Sequence, residues 1–453
     1  MSIFNRHSTI LCTAAISFLL TLDGYGQGGS WTTKAPMPTP RQASAAAVVG
    51  GILYVMGGST GHLIQNSVSL TEAYDPKTNT WTAKAPMPTP RCCMAAGVVD
   101  GVIYVAGGYG RVGALPTLEV YDPKTNAWTI KAPMPTPRYG LAGGAVDGIL
   151  YAVGGFYPGY FNENYDTVEA YDPKSDTWTT KAPMPTARGF MASAVMDGLI
   201  YVTGGFRTVG REGTEFLASV EVFDPKTNTW SAKPPIPAFG AAHVSGTLGG
   251  KLFVVGGNPY DLAYAYDVVN NSWATVPPLP TKRGAAVAGV VDDVFYVVGG
   301  IWGIDALAVN EAFDPFLRIS IDIKPGDPDN TINLKSRGVV PVAILGSATF
   351  DPTTVDAATV RLAGAPVATR GRGVPMTSVA DVNGDGYLDL LLHFRTQSLQ
   401  LTSASTEAVL YGETFSGQRL RGADSVRIVA HGRLLGFGSL TEGPRAHAAR
   451  APN

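Results

Sequence analysis

The sequence predicts an all-β protein: a ring of repeated four-stranded sheets, followed by a smaller β domain. Three observations carry that prediction. Glycine pairs recur at Gly57-Gly58, Gly107-Gly108, Gly154-Gly155, Gly204-Gly205, Gly256-Gly257 and Gly299-Gly300, spaced 43 to 52 residues apart. Each pair ends an apolar run such as ILYVMGG and leads, after a loop, into a block of the form EAYDPKTNTWTAKAPMPTPR. Beyond Pro315 the repeat stops and new strand-like runs take over. A repeat of this length, built of short strands and turn residues, marks a β-propeller blade rather than a helical array.

Composition narrows the function classes. A chain of 453 residues is long enough for two folded domains. Its 34 basic and 36 acidic residues give a net charge of −2, so there is no electrostatic reason to expect nucleic acid or an anionic membrane as partner. Glycine (54) and proline (33) fit many short strands joined by tight turns.

Residues 1–26 read as an export signal. Arg6 and His7 precede an apolar run from Ile10 to Leu22, 13 residues and too short to span a bilayer, and Gly24 and Gly26 follow at cleavage-like spacing. The expected location is secreted or cell envelope, with no membrane span after cleavage. Cys12 lies inside the apolar run and not behind a lipobox, so no lipid anchor is expected. That leaves Cys92 and Cys93, whose pairing would close a strained eight-membered ring. They are expected to be two small buried side chains, and no disulfide framework holds the protein together.

Residues 30–315 divide into four strands per repeat. In the second repeat MAAGVVD is the innermost strand, VIYVAGG the second, LEVYDP the third and AWTIKAP the fourth. Asp100-Gly101 makes the first hairpin turn, and a nearly constant PMPTPR carries the chain stiffly to the next blade. Trp31, Trp81, Trp128, Trp178, Trp230 and Trp273 each open a fourth strand, but none follows the last glycine pair. The sixth blade must therefore borrow its fourth strand from the segment around Trp31, which closes the ring without an unpaired edge. Trp302 lies outside this pattern. The Gly-Gly, Tyr-Asp-Pro and Trp signatures at these offsets resemble Kelch repeats. The resemblance implies a six-bladed Kelch-type propeller, a fold that serves mostly as a binding scaffold and sometimes as an enzyme.

An arginine stands sixteen residues before the first glycine of five pairs: Arg41, Arg91, Arg138, Arg188 and Arg283. A glutamate precedes the Asp of the same repeats by three residues: Glu72, Glu119, Glu169, Glu221 and Glu311. The fifth blade has Gly240 and Tyr264 instead. Arginine and glutamate are expected to pair across the bare glycines, bidentate where geometry allows. The competing expectation is a ring of arginines that binds an anion on the axis.

The loops between second and third strands vary, and variable loops carry specificity. They share one face of the ring with the inter-blade connectors. The candidate ligand-binding face is Tyr109, Arg111, Tyr139, Phe156, Tyr157, Tyr160, Phe161, Arg207, Arg211 and Trp302. Tyrosine, tryptophan and arginine are the residues that interaction hot spots use, and flat rings stack on sugars. The alternative is that these rings pack on one another to hold long loops. The residue after each arginine, or after Gly240, is expected at the channel mouth: Gln42, Cys92, Tyr139, Gly189, Ala241 and Gly284. That set holds no carboxylate pair, no nucleophile with a base and no metal cluster.

From 318 to 430 the runs VVPVAILG, VRLAG, YLDLLLHF and DSVRIVA indicate a second all-β domain of sandwich type. IDIKPG, VPVAILG and DVNGDGYLDLLLHF resemble a small module appended to secreted bacterial and archaeal proteins. Within DVNGDGYLD, Asp381, Asn383, Asp385, Tyr387 through its carbonyl, and Asp389 occupy positions 1, 3, 5, 7 and 9 of a calcium loop, with Gly386 at the sharp turn. Position 12 is Leu392, which excludes the helix-flanked sensor form. Asp322, Asp327 and Asp329 are candidates to complete the shell. Residues 431–453 have no periodicity and read as a disordered tail. The sequence therefore predicts a secreted, monomeric interaction protein with structural Ca²⁺, binding protein or polysaccharide through one propeller face. The alternative is a carbohydrate-active Kelch enzyme, a sugar epimerase or oxidase, with its site at the channel mouth.

Overall fold

The computed structural model describes residues 29–61, 66–157, 164–210, 213–257 and 262–429. The export signal, the tail, His62, Tyr160, Phe161 and Arg211 lie outside the described residues. The repeat region forms six four-stranded antiparallel sheets. Blade two, for example, runs Ala95–Val99, Val102–Ala106, Leu118–Asp122 and Ala127–Lys131. Asp100 (φ 51°) and Gly101 (φ 77°) both sit in the left-handed region, as a two-residue hairpin requires. In blade six, Val287–Val291, Val294–Val298 and Asn310–Asp314 are completed by the N-terminal Ser30–Thr33, with Trp31 opposite Phe313.

Three sets of bonds run round the ring. The first is a cycle of backbone hydrogen bonds at the inner edge: Cys93 N–H to Ala43 C=O, Gly140 to Cys93, Phe190 to Gly140, Ala242 to Phe190, Ala285 to Ala242 and Ala43 to Ala285. All six residues have positive φ, which turns each N–H towards one neighbour and each C=O towards the other. The second uses the tryptophans. Each indole N–H donates to a carbonyl of the preceding connector: Trp81 to Ala35, Trp128 to Ala85, Trp178 to Ala132, Trp230 to Ala182, Trp273 to Pro234 and Trp31 to Pro277.

The third set explains the glycine pairs. The second glycine's N–H donates to the carbonyl of the next blade's arginine: Gly58 to Arg91, Gly108 to Arg138, Gly155 to Arg188, Gly257 to Arg283 and Gly300 to Arg41. A Cβ on Gly57 would lie 2.5 Å from the Arg91 carbonyl oxygen, and one on Gly299 2.5 Å from that of Arg41. The pair is bare because a neighbouring backbone presses on it, and both glycines are held at positive φ. The glycines are expected to clear a path for the blade's own ion pair; in the structure the first glycine is pressed by the next blade and the second by the backbone leading into its own blade's first strand, as with the Gln42 carbonyl 2.7 Å from a Cβ on Gly58.

The five ion pairs form within their blades. The shortest N···O separations are 2.6 Å for Arg41–Glu72, 2.5 Å for Arg91–Glu119, 3.1 Å for Arg138–Glu169, 2.8 Å for Arg188–Glu221 and 2.5 Å for Arg283–Glu311. All five arginines are buried, so they do not form an anion-binding ring on the axis. The expected bidentate fork does not form, because each group has a second task. The other glutamate oxygen accepts from a connector threonine, as in Thr39 to Glu72, Thr136 to Glu169, Thr186 to Glu221 and Thr281 to Glu311. A guanidinium nitrogen donates instead to a second-strand carbonyl: Val55, Val105, Ala152 or Val297. Burial lowers the arginine pKa values, to about 10 for Arg138, and the facing glutamates oppose that shift.

Blade five keeps the backbone latch, Gly205 N–H to Gly240 C=O, without the ion pair. The buried His243 packs on blade four, its Nε2 2.9 Å from Thr203 Oγ1 and its ring against Gly204, where Met94, Leu141 and Met191 meet the first glycine of the three preceding pairs. Burial, with the Arg188 charge adding, lowers its pKa to about 4.

The C-terminal domain is a two-sheet sandwich. One sheet has the order Leu317–Arg318, Arg419–Ser425, Glu407–Thr414, Val355–Leu362, Ala365–Pro366; the other Ile321–Ile323, Val339–Ile344, Asp389–Arg395, Thr377–Ala380. Ile323, Val342, Val360, Leu392, Phe394, Leu410 and Leu420 fill the space between them. It touches the propeller at turns joining first and second strands: Tyr411 Oη donates to Asp293 at 2.5 Å, and Arg421 lies 3.8 Å from the same carboxylate. Those turns lie on the face opposite the second-to-third loops, which the sandwich leaves uncovered. Among the described residues no helix is long and apolar enough to cross a membrane.

Two predictions follow from the packing. Glu119→Ala strands a fully buried guanidinium and should cost about 3–5 kcal/mol in chemical denaturation, whereas an exposed-loop control such as Asp305→Ala should cost under about 0.5 kcal/mol. His243 has a folded pKa below its unfolded value, so the unfolded chain binds the extra proton. Stability should fall as pH drops from about 6.5 towards 4, and His243→Gln should flatten that part of the pH profile.

Candidate functional site

The uncovered face carries a chain of aromatic rings. It starts at Tyr109–Tyr139 with centroids 5.1 Å apart, passes through Tyr139–Phe156 (5.9 Å) and Phe156–Phe190 (5.7 Å), and reaches Phe190–Phe206 at 5.4 Å and 6° from parallel. Phe206–Phe216 (6.0 Å) and Phe216–Phe239 (6.4 Å) carry it to the rim. Local pairing sets this up. The residue after each glycine pair bridges to the residue after its blade's arginine, as in Cys92 with Tyr109, Tyr139 with Phe156 and Gly189 with Phe206. Gly189 has no side chain because Phe156 lies on it: a Cβ there would be 2.1 Å from that ring.

Burial grades along the chain. Phe156 is 1% exposed, whereas Phe216 is 36% and Phe239 57% exposed. Phe156 is thus a correction to the predicted ligand face: it is the packed foundation on which other rings stand. The inner rings pack on one another, and the outer rings Phe216 and Phe239 stand open. Phe190, Phe206, Phe216 and Phe239 were not among the predicted residues. The signal for Phe190 and Phe239 is the departure of two connectors from PMPTPR, to PTARGF and PIPAFG, whereas Phe206 and Phe216 open and close the loop FRTVGREGTEF.

The other predicted residues are dispersed. Tyr157 is half exposed and leans on Tyr165 at 6.2 Å. Arg207 is held by Glu215 at 2.6 Å across the hairpin Phe206–Val209 and Gly213–Phe216. Arg111 is exposed at the tip of the hairpin that begins with Tyr109. Trp302, about half exposed, sits on the small hairpin of blade six, across the ring from blade three. It therefore does not join the cluster.

The channel mouth also differs from expectation. Gln42, Cys92 and Ala241 are buried, and the residue one further along each connector makes the innermost cycle: Ala43, Cys93, Gly140, Phe190, Ala242 and Ala285. The expected residues turn outward to bridge the glycine loops, which leaves the next residue nearest the axis.

In the C-terminal domain the loop 381–389 is folded by its own acids. Asp381 accepts the N–H groups of Gly384, Asp385 and Gly386, and Asp385 accepts that of Tyr387. Asp389 is a correction. It is fully buried, and its two oxygens accept Gly346 and Val382 N–H at 2.8 Å each, so it staples the loop to the sheet and is not turned towards a metal. Nor do the three distant candidates converge on the loop: Asp327 is held by Lys324 and Asp329 by Arg427, while Asp322 lies on the strand at the other side of the sheet. Among the described residues no three acidic, histidine or cysteine side chains are grouped closely enough to hold a metal ion. The donors left along the loop are Asp381, Asn383, Asp385 and the Tyr387 carbonyl.

The repeat geometry has a counterpart in known proteins. The model of the KLHDC2/KLHL20/DRC7 Kelch-repeats domain matches residues 27–205, and that of the Kelch motif matches 187–237. Residues 27–237 of the propeller thus carry Kelch repeats. Kelch-like protein 4 of Homo sapiens is 45% identical over 53 residues, which are 12% of this chain and 7% of that protein. The chain thus matches only a small part of that relative. The solved structure of YjhT superposes with a TM-score of 0.52 at 19% identity, covering 61% of this chain and 96% of the other, a likeness of fold. Kelch propellers serve generally as protein-interaction scaffolds.

Proposed function

We propose that this Kelch propeller is a secreted or cell-surface binding protein that holds a protein or polysaccharide on its uncovered face, around the rings of blades three to five. The observation that carries the reading is the graded aromatic chain. Its inner rings are fixed by stacking, and its outer rings, Phe216 and Phe239, stand open. Rings held rigid before contact lose little conformational freedom on binding, which is how aromatic hot spots gain affinity. The sandwich packs on the opposite face, so a large ligand meets no obstruction from it. Location outside the cell rests on the N-terminal charged and apolar pattern from Arg6 to Leu22.

Calcium has a separate place in the proposal. Asp381, Asn383, Asp385 and the Tyr387 carbonyl supply hard oxygen donors, and the ion would offset the crowding of the Asp381 and Asp385 carboxylates. Asp389 acts on the loop's shape.

Two measurements test these readings. The full chain is screened on glycan arrays and by cross-linking to surface proteins, and the Phe216→Ala/Phe239→Ala variant is then titrated with whatever binds. Affinity should fall at least about tenfold with the melting temperature nearly unchanged. Retained affinity would place the ligand elsewhere. For calcium, EDTA should lower the melting temperature of the wild type but not of Asp385→Ala; a wild-type melt indifferent to EDTA would overturn the metal site.

A further inference from the structure

We propose that Cys92 and Cys93 form a reversible oxidation site for hydroperoxides, closing a vicinal disulfide at the inner edge of blade two. Packing does not call for this pair. The same two positions hold Ala241-Ala242 in blade five and Gly284-Ala285 in blade six, and both blades close the ring equally well. The two Sγ atoms of the pair lie 3.3 Å apart. Cys92 is fully buried, while Cys93, at 7% exposure, belongs to the innermost cycle around the axis. A molecule little larger than water is the kind of oxidant that such a position admits.

The neighbours differentiate the two thiols. Hydrogen bonding from the Cys93 thiol lowers the pKa of Cys92 against the effect of burial, with Ser67 adding to it, while the same contact and burial raise that of Cys93. Cys92 is therefore the nucleophile and Cys93 the resolving thiol. In the first step the Cys92 thiolate attacks one peroxide oxygen and the O–O bond breaks. The departing alkoxide takes a proton and leaves as an alcohol, and Cys92 becomes a sulfenic acid. Cys93 then attacks the Cys92 sulfur and displaces hydroxide, which takes the Cys93 proton and leaves as water. Two thiols and one hydroperoxide thus give one disulfide, one alcohol and one water.

The backbone makes this disulfide easy to reduce. Adjacent Cα atoms are about 3.8 Å apart across a trans peptide, closer than the roughly 4.4–6.8 Å that an unstrained disulfide spans. The peptide that must distort is clamped on both sides: Cys92 exchanges two hydrogen bonds with Tyr109, and Cys93 bonds Ala43 and Gly140. Closing the ring works against those four bonds, at the foot of the aromatic chain where Tyr109 meets Tyr139. A strained disulfide of this kind is labile to thiols.

The test uses the full chain, reduced, desalted, and treated with a small excess of hydrogen peroxide. It is then alkylated with iodoacetamide after denaturation and digested with trypsin, which cuts after Arg91. The peptide starting at Cys92 should be unalkylated and lighter by about 2 Da, the two thiol hydrogens, and dithiothreitol should restore two alkylatable thiols. Cys93→Ser should stop at a Cys92 sulfenic acid that dimedone captures, with the melting temperature of the untreated variant confirming that it folds. Two alkylated cysteines after peroxide, irreversible sulfinic or sulfonic acid, or a disulfide joining two chains would each overturn the proposal.

Discussion

The structure depends on one residue doing two things in two blades. In five of the six repeats an arginine gives its guanidinium to a glutamate of its own blade and its carbonyl to the glycine pair of the preceding one. The guanidinium fixes where the connector enters the blade, and the carbonyl fixes how far away the next blade stands. The same residue therefore sets the strand entry and the angular step of the ring. A buried ion pair adds little net stability over an apolar replacement, because desolvation offsets the attraction. Its value here is positional. Blade five shows that the two tasks separate, since Gly240 keeps the carbonyl contact with no guanidinium to pair.

Rigidity on this scale is what allows loops to specialise. The inner cycle of backbone hydrogen bonds and the outer cycle of tryptophan bonds hold each sheet at both edges. The loops between second and third strands then differ freely, from the two-residue hairpin strands of blade two to the longer Phe206–Val209 hairpin of blade four. The sandwich meets the ring through Asp293, a turn residue of the other face. One face is thus given to intramolecular docking and the other to the variable loops.

The candidate site was only partly legible in the sequence. Tyr109, Tyr139 and Phe156 stood in irregular loops and drew attention as aromatics, but alternation alone does not say which ring is covered. Phe156 is covered because Gly189, in the next blade, offers it a flat backbone, a contact between residues far apart in the chain. Phe239 is masked in the sequence because it occupies a connector, a segment whose other copies are nearly constant. The calcium motif shows the opposite case. Its spacing is local and readable, yet the Asp389 side chain points to where the sheet provides two amide donors, and spacing cannot reveal them.

By itself the sequence determined the number of blades, the borrowed strand around Trp31 and the pairing of each arginine with its glutamate. All three are consequences of a repeat counted along the chain, and a periodic constraint survives without coordinates. Only the tertiary structure decided that the glycine pairs answer to a neighbouring carbonyl, that the residue two past each arginine forms the inner cycle, and that seven rings from four blades make one continuous stack. Those contacts are made between blades, where side-chain direction and left-handed backbone turns choose the partner, and neither is written in the spacing of residue types.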